Sequence, residues 1–458
     1  MPGIGGSALH RADGTPLWAI DLAAGRHPIR SFRELAAPAD LLRDPEFDDG
    51  VRATAIMALP VPGLTRLLGG YRDLRAALFY HFDLVDGETY TEFPYDWRRP
   101  AAHNAVLLEH HVRCRLTRLR KRYPDAEVVV VAHSMGGLVA REFLERYDRH
   151  GSVRALITLG TPFRGAVKAL DFLVNGPRVA KLRFRSLAEE FARLPAFYEL
   201  LPLYPFIRLG TSQDAQLGGI ADVAHLLPPG GDKHAADAAA FLTRLNESSA
   251  PTVTRSFVGF GAPTLQQAVL SGSRLTVLRG SDLLPASHRT LDGDGTVPLL
   301  SATPRSSEEI RLGSTPQNQT HSGLVTGHDA LRALVIQIAG LVREGKILDR
   351  GRLAAPPASP DADVSPGADA AEADSAMSLD VADWYDTDEP LSIPGRAPGH
   401  AGRMLWYRLG SGAPVELRVG EDGGFTLALG PQPESVQRLD LLAAPEGHVL
   451  LTDVVEVA

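Results

Sequence analysis

The chain of 458 residues contains a single cysteine, Cys114, and lacks the marks of several common protein classes. One cysteine cannot form a disulfide within the chain, which favours a reducing compartment. Cys114 stands between two arginines of a predicted helix, and we interpret it as incidental rather than catalytic. The apolar runs are far too short to span a bilayer, and no leader with a basic start and an apolar centre opens the chain. These absences predict a cytoplasmic protein.

An excess of positive charge is also absent. The formal net charge is −8 and no basic stripe occurs, so nucleic acid is not an expected partner. With 44% apolar and 22% charged residues, the composition is that of an ordinary globular protein. No pattern points to a cofactor. The length predicts one large catalytic domain and a smaller second unit.

Residues 1–350 predict one α/β unit. Strand-like and helical runs alternate here, which favours a mostly parallel sheet covered by helices on both faces. Between about 165 and 250 the alternation is lost and aromatic residues and prolines accumulate. We interpret this segment as an inserted cap, whose aromatic side chains either line an apolar substrate tunnel or pack as a small core. The predicted strands are 128–132, 155–159, 252–260 and 275–278, and the clearest helices are 107–122 and 329–342.

The composition changes after the α/β unit. Residues 351–396 are rich in Ala, Pro, Asp and Ser and too poor in apolar side chains to fold, which predicts a disordered linker. Residues 397–458 contain short alternating runs separated by Gly and Pro, which predicts a small β-rich domain. Its expected strands are 404–408, 415–419, 425–429, 438–442 and 449–457.

The most informative stretch is residues 128–137, Val-Val-Val-Val-Ala-His-Ser-Met-Gly-Gly. A short buried strand leads to a sharp turn with Ser134 at its tip, and two glycines then open a helix. This is the strand–turn–helix context of a nucleophile elbow, with the pattern A-x-S-x-G in place of G-x-S-x-G. Small residues at Ala132 and Gly136 are expected to let strand and helix approach closely. We interpret Ser134 as a nucleophile rather than as a helix cap.

A serine nucleophile needs a base and a carboxylate that orients the base. Asp294 lies in the glycine-rich turn Leu-Asp-Gly-Asp-Gly-Thr-Val-Pro at 291–298 and is the predicted acid, with Asp292 as its competitor. The D-x-D-x-G spacing also occurs in calcium loops, but the remaining ligands of an EF-hand are missing.

The predicted base is His321, in a polar loop that precedes the last long helix. It follows both the serine and the acid, which is the order of serine, acid and histidine in folds that contain a nucleophile elbow. His328, at the start of that helix, is the alternative. His133 adjoins the nucleophile, but its side chain is expected to point elsewhere.

An oxyanion hole requires two backbone N–H groups. Met135, the residue after the nucleophile, is expected to supply one. The glycine-rich start at residues 2–6 supplies a second candidate at Ile4, unless this segment is a disordered tail.

Together, five motifs resemble the lecithin:cholesterol acyltransferase family of α/β-hydrolases, which includes lysosomal phospholipase A2. The first four are the opening Met-Pro-Gly-Ile-Gly-Gly with Asp-Gly-Thr-Pro-Leu-Trp at 13–18, Pro-Tyr-Asp-Trp-Arg at 94–98, the elbow, and Gly-Thr-Pro-Phe-Arg-Gly at 160–165. The fifth consists of the predicted acid segment, Gly-Asp-Gly-Thr-Val-Pro at 293–298, and the predicted base, His321. The resemblance covers residues 1 to about 345. It implies Ser134, Asp294 and His321 as a triad, Ile4 and Met135 as the oxyanion hole, and a long-chain acyl ester held under a cap and lid.

The chain departs from this family at its start and its end. The family has a hydrophobic strand before the Pro-Gly loop, whereas this chain begins at Met1. The linker and β-rich domain lie outside the resemblance.

The leading hypothesis is therefore a serine esterase, lipase, phospholipase or acyltransferase that acts on lipid-like acyl esters. Peripheral membrane contact would involve apolar cap residues. The alternative is an interaction protein whose β-rich domain binds a partner, with a weakly active hydrolase as effector. Deleting residues 352–458 discriminates the two, because only the second predicts loss of a partner without loss of ester turnover.

Overall fold

The computed structural model describes these residues: 1–18, 35, 39–57, 70–148, 151–176, 178–179, 182–183, 185–209, 216–247, 252–272, 274–279, 293–304, 314–344, 377–379, 390–410, 412–432, 435–445, 447 and 449–457. Asp292, the alternative acid, and most of the predicted linker lie outside them. Within the described residues, no helix has the length and apolar character needed to cross a membrane.

Strands and helices alternate through most of the chain, and strands dominate its last part. The strands are β1 (Ser7–His10), β2 (Pro16–Trp18), β3 (Arg52–Ile56), β4 (Val128–His133), β5 (Val153–Leu159), β6 (Arg178–Val179), β7 (Leu182–Arg183), β8 (Ile207–Leu209), β9 (Gln216–Gly218), β10 (Val253–Gly259), β11 (Leu265–Ser271), β12 (Arg274–Arg279), β13 (Ser314–Gln317), β14 (Ser378–Leu379), β15 (Leu391–Arg396), β16 (Met404–Leu409), β17 (Val415–Arg418), β18 (Gly424–Leu429), β19 (Ser435–Leu442) and β20 (Val449–Val457). The helices are α1 (Ala39–Arg43), α2 (Arg72–His81), α3 (Ala101–Leu119), α4 (Met135–Arg146), α5 (Val167–Asn175), α6 (Arg185–Ala192), α7 (Pro195–Tyr198), α8 (Gly231–Glu247), α9 (Gly323–Thr326) and α10 (His328–Glu344), with 3-10 turns at Ile220–Leu226, Leu299–Ser301 and Pro398–His400. Every strand and helix expected from the sequence coincides with one of these elements.

The central sheet has the order β13-β10-β5-β4, and all its neighbours pair in parallel. Successive side chains of β5 point to opposite faces, as strand geometry requires. Leu156 packs with α3 and α4 on one face. Ala155, Ile157 and Leu159 pack with α2 and α10 on the other. This is the predicted parallel sheet with helices on both faces.

The start of the chain lies along the outer edge of β4. The amino group of Met1 donates to the Val131 carbonyl at 2.9 Å, and the His133 amide donates to the Met1 carbonyl at 3.1 Å. This pair of bonds has the pattern of a parallel bridge. Residues that follow form β1, which pairs antiparallel with β2 and β3 in a separate small sheet. The glycine-rich start is thereby placed beside the predicted elbow.

The predicted cap, at about residues 165 to 250, contains α5 to α8 and the strands β6 to β9. A second sheet, ordered β12-β11-β8-β9, extends beyond these bounds, because β11 and β12 follow residue 250. We call it the cap sheet. The strand expected at 275–278 belongs to this second sheet as β12 and not to the central sheet. It pairs antiparallel with β11, which continues the chain after β10. The sequence pattern could not assign a strand to one of two sheets, because period and composition are the same in both.

The cap aromatics are buried among themselves. Phe191 and Phe197 have ring centroids 4.6 Å apart, and Phe172 stacks on Phe191 at 5.5 Å. Tyr198, Tyr204 and Phe206 lie in the same core, whereas Phe184 is outside the described residues. Within residues 165–250, none of the large apolar side chains whose burial the structure describes is exposed. The arrangement favours a packed core over a tunnel lining.

The last part of the chain is all antiparallel. One sheet has the order β14-β15-β18 and the other β17-β16-β19-β20. They enclose a core of their own, which includes Ile393, Leu405, Leu427 and Leu439. Two strands lie inside the segment predicted as a disordered linker, residues 351–396. β14 at Ser378–Leu379 pairs with β15, and β15 at Leu391–Arg396 pairs along its whole length with β18. This strand contains Pro394 and Gly395, which masked its strand character in the sequence.

Candidate active site

Ser134 occupies a strained turn between β4 and α4. Its φ is 52° and its ψ −130°, and among the described residues no other non-glycine residue has a positive φ. Such a conformation costs on the order of 1–3 kcal/mol and persists only where the surroundings impose it. Here the Ser134 amide donates to the Leu159 carbonyl at 2.8 Å, and Thr161 Oγ1 donates to the Ser134 carbonyl at 2.9 Å. The predicted elbow geometry is present.

The two glycines after the serine make room for different neighbours. A Cβ at Gly136 would collide with the carbonyl of Pro2, and one at Gly137 would collide with Thr161. The expectation that Gly136 serves strand–helix approach is therefore wrong. It leaves space for the glycine-rich start of the chain, a contact that sequence spacing does not reveal.

His321 lies between the serine and the predicted acid. Its Nε2 is 2.9 Å from Ser134 Oγ and its Nδ1 is 2.7 Å from Asp294 Oδ2. The three side chains are 5%, 1% and 0% exposed for Ser134, Asp294 and His321. A carboxylate only accepts hydrogen bonds, so Nδ1 carries the proton and Nε2 accepts from the serine hydroxyl. The structure brings the three predicted residues together in the order that nucleophilic catalysis requires.

The turn that carries Asp294 is held by its own amides. Asp294 Oδ1 accepts from the N–H groups of Thr296 at 2.9 Å and Val297 at 2.6 Å. The Asp294 carbonyl also accepts from the His321 amide at 2.8 Å, which links acid and base through the backbone. Gly259, at the end of β10, faces this turn so closely that a Cβ there would lie 2.5 Å from that of Asp294. The acid is thus placed at the carboxyl end of the central sheet.

The two predicted oxyanion donors lie beside the serine. Met135 is the first residue of α4, where backbone N–H groups have no partner within the helix. Ile4 follows Gly3, where a Cβ would lie 2.8 Å from Ser134 Cβ and 3.3 Å from Ser134 Oγ. Both residues are buried. The alternative of a disordered tail is wrong, because residues 1–6 are packed against the elbow.

The Pro-Tyr-Asp-Trp-Arg motif clamps this loop. Tyr95 donates its hydroxyl to the Pro2 carbonyl at 2.9 Å, and Trp97 Nε1 donates to the Ser7 carbonyl at 3.1 Å. Trp18 Nε1 donates to the Gly5 carbonyl at 2.7 Å and packs edge-on against Trp97. The sequence marked the motif but not its role, since the contacts of Tyr95 and Trp97 join segments about ninety positions apart.

Arg98, the last residue of the motif, is buried and pairs with two carboxylates. Its side chain is 1% exposed, and Nη2 and Nε donate to the two oxygens of Asp96 at 2.8 and 2.9 Å. Nη1 is 2.8 Å from Asp49 Oδ2. Two carboxylates and this paired geometry offset the cost of burying a guanidinium. The motif is therefore a rigid support for the glycine-rich loop.

His328 is not part of the site. Its side chain is 79% exposed and pairs with Asp329 at 3.5 Å, which raises the pKa of the imidazole. Both oxygens of Asp294 accept hydrogen bonds, Oδ2 from His321 and Oδ1 from two backbone amides. Tyr71 and His133 also contact the site. The sequence analysis did not single out Tyr71, and it expected the His133 side chain to point elsewhere, whereas His133 Nε2 lies 3.1 Å from the His321 carbonyl.

The fold and the elbow define the class of protein. The chain has an α/β-hydrolase fold with an inserted cap and a C-terminal all-β region. It is similar over 75% of its length, with a TM-score of 0.54 and 14% identity, to 98% of a chain in the crystal structure of the Tle4–Tli4 complex. At this identity the likeness concerns the fold alone.

Sequence comparison confirms the family resemblance. The profile described as Lecithin:cholesterol acyltransferase matches residues 79–215, which contain Ser134 but neither Asp294 nor His321. The lysosomal phospholipase A and acyltransferase of Canis lupus familiaris is 28% identical over 30% of this chain and 34% of its own. The human protein of that name is 33% identical over 22% of this chain and 26% of its own. The match thus spans about a third or less of these relatives, and over that part the chain is distantly similar to proteins named as phospholipase A and acyltransferase.

Proposed function

We propose that this protein is a serine hydrolase that acts on lipid-like acyl esters through a covalent acyl-enzyme. The observation that carries the proposal is the position of His321, within hydrogen-bond distance of both Ser134 Oγ and Asp294 Oδ2. A serine is a weak nucleophile until a base accepts its proton. The strained turn presents the hydroxyl to that base.

In the first half of the reaction, Ser134 Oγ attacks the ester carbonyl while its proton passes to His321 Nε2. Asp294 stabilises the imidazolium that forms. The carbonyl oxygen becomes an oxyanion, for which the N–H groups of Ile4 and Met135 are the proposed donors. Collapse expels the alcohol, which takes the proton from His321 and leaves an acyl ester on Ser134.

In the second half, water or an alcohol enters. His321 removes its proton as the oxygen attacks the acyl ester, and Ser134 recovers a proton from His321 when it departs. Water yields a free acid, and an alcohol yields a new ester. The substrate class rests on similarity to relatives named as phospholipase and acyltransferase and on the five ordered motifs.

The test is active-site labelling with a fluorophosphonate, followed by mass mapping of the modified residue. We expect one equivalent of label at Ser134, and no label in Ser134→Ala or His321→Ala. His328→Ala is the matched control, since it removes the other candidate histidine and should label normally. With acyl esters of varied chain length, Ser134→Ala should lower kcat by about 10⁶-fold.

Full ester turnover by folded Ser134→Ala would overturn the proposal. Addition of a primary alcohol to the assay separates the two outcomes of the second half. Growth of a new ester at the expense of free acid identifies acyl transfer, and an unchanged yield of acid identifies hydrolysis.

A further inference from the structure

Two buried polar side chains contact the site without a part in the steps above. His133 directly precedes Ser134 and is 1% exposed, and Tyr71, at the start of α2, is 7% exposed. His133 Nδ1 is 2.9 Å from the Tyr71 hydroxyl, and His133 Nε2 is 3.1 Å from the backbone carbonyl of His321. The Gly3 amide donates to the Tyr71 hydroxyl at 2.7 Å. These contacts form one unbroken chain.

The two ends of this series of hydrogen bonds are the Gly3 amide, which only donates, and the His321 carbonyl, which only accepts. Together they determine where each proton between them lies. The carbonyl of His321 only accepts, so His133 Nε2 carries hydrogen. A neutral imidazole then accepts at Nδ1, so the Tyr71 hydroxyl must donate to it. The tyrosine oxygen is left free to accept from Gly3. Burial lowers the pKa of His133 well below its ordinary value, which agrees with a neutral ring that has a single N–H.

This series of hydrogen bonds joins the two loops on which the proposed mechanism depends. One end is the backbone of His321, the base. The other end is Gly3, which precedes the oxyanion donor Ile4 and abuts Ser134. These loops are far apart in the sequence, one at its start and the other at residue 321 of 458. His133, which directly precedes Ser134 in the elbow, lies between them. The ring of His133 also contacts that of His321, with centroids 4.6 Å apart.

We propose that Tyr71 and His133 are positioning residues, which hold the base loop and the oxyanion loop in register around Ser134. This inference rests on the proposed function. Reacting groups must be held within a fraction of an ångström, and a displacement of about 1 Å can cost 10²-fold in rate. A chain of short hydrogen bonds between buried groups has few alternative arrangements, because each lost bond leaves a partner unsatisfied.

Tyr71→Phe tests the proposal with the loss of one oxygen atom. We expect kcat to fall by about 10- to 100-fold with KM unchanged, since the substrate pocket is intact but the reacting groups are displaced. The rate of fluorophosphonate labelling should fall in parallel. Tyr80→Phe is the matched control, because Tyr80 lies on the same helix and is 64% exposed. It should retain wild-type kcat.

Two substitutions of His133, each of which imitates one ring nitrogen, separate its hydrogen bond to His321 from its hydrogen bond to Tyr71. We call them half-mimics. The amide nitrogen of Gln reaches the position of Nε2, so His133→Gln keeps the bond to His321. The amide oxygen of Asn reaches the position of Nδ1, so His133→Asn keeps the bond to Tyr71. Each should lose less kcat than His133→Phe, which keeps neither. Because the two residues act as a unit, adding Tyr71→Phe to His133→Phe should cost little more than His133→Phe alone.

The tautomer can be measured in the unmutated protein, which keeps the proposal falsifiable if variants fail to fold. Nitrogen NMR should show His133 neutral with its proton on Nε2. A proton on Nδ1, or wild-type kcat in folded Tyr71→Phe and both half-mimics, would overturn the proposal while labelling at Ser134 stands. Activity in Ser134→Ala would instead overturn the proposed function itself.

Discussion

The α/β-hydrolase region and the C-terminal β-region bury different kinds of side chain. The first encloses many polar and charged groups, including Asp96, Arg98, Asn104, His133, Arg141, Glu142, Glu199, Asp294 and His321. Among the residues from 377 to 457 whose burial the structure describes, Asp440 is the one buried residue with a charged side chain, and it pairs with Arg408 at 3.0 Å. Buried polar groups are unfavourable unless paired, so a region that retains many of them has a use for them.

Backbone strain is distributed in the same unequal way. In the hydrolase region a serine adopts the positive φ, whereas the described positive-φ positions of the β-region are the glycines Gly402, Gly410 and Gly423. Glycine takes that conformation without steric cost. Among the described residues, a strained non-glycine backbone conformation therefore occurs in the hydrolase region, at Ser134, and not in the β-region.

The largest effect should come from exchanging one buried acid in each region. Asp294→Asn should lower kcat by about 10⁴-fold, since an amide favours the wrong tautomer of His321. Asp440→Asn should leave kcat unchanged. Steady-state kinetics on folded protein measure both, and a comparable loss in the two variants would mean that the β-region supports the site.

The next test compares the two cores. Leu427→Ala and Leu138→Ala each empty a fully buried position, in the β-region and beneath the elbow respectively. Each should cost about 2–5 kcal/mol of unfolding free energy. Only Leu138→Ala should also lower kcat at temperatures where both variants are folded. Calorimetry with parallel assays decides this, and equal loss of activity would show that the two cores are coupled.

A third test measures how far the buried carboxyl group of Glu199, in the hydrolase region, lowers the free energy of unfolding. Burial raises the pKa of Glu199 to about 8 from an ordinary 4.5, although the Ala101 amide and two arginines favour its charged form. A raised pKa means that the folded state resists ionisation, so stability is lost as pH rises from about 4.5 to about 8.

Glu199→Gln should remove this loss. We expect little difference from wild type at pH 4.5 and a gain of a few kcal/mol at pH 9, measured by urea denaturation across that range. Glu421→Gln, at an exposed position of the β-region, is the control and should show no such trend. A gain for Glu199→Gln that is the same at every pH would contradict the assignment.

The smallest expected effect isolates the strain at the elbow. Ser134→Gly and Ser134→Ala both remove the hydroxyl, but only glycine relieves the positive φ. The glycine variant should be more stable by about 1 kcal/mol, which is the strain less the added entropy of unfolded glycine. Thermal melts of the two inactive variants give the difference, and equal melting temperatures would mean that the turn is unstrained.

The local features of the fold were predictable. Alternation of apolar side chains defines β5 and the strands of the β-region, and the Ala-His-Ser-Met-Gly-Gly string predicts a strained turn, because short-range sterics control both. The order of serine, acid and histidine along the chain admits both His321 and His328 as the base. Only the structure separates them, because His321 lies within hydrogen-bond distance of Ser134 whereas His328 is exposed.

Features that depend on distant contacts were not predictable. Three such features are the placement of β12 in the cap sheet, the pairing of β15 with β18, and the reason for Gly136. Each involves a partner farther along the chain than a local pattern reaches. The same is true of Tyr71 and His133, which looked like an ordinary tyrosine and a neighbour of the serine.

The sequence by itself determined the strand–turn–helix elbow, the alternation of strands and helices, and the identity of three candidate groups. These follow from backbone conformation and side-chain periodicity, which a short window of residues encodes. Only the tertiary structure decided that the first residues lie against the elbow, that Tyr95 and Trp97 hold them, and that His133 links them to His321. Those contacts exist because close packing brings segments from opposite ends of the chain within hydrogen-bond distance, and no local pattern records that proximity.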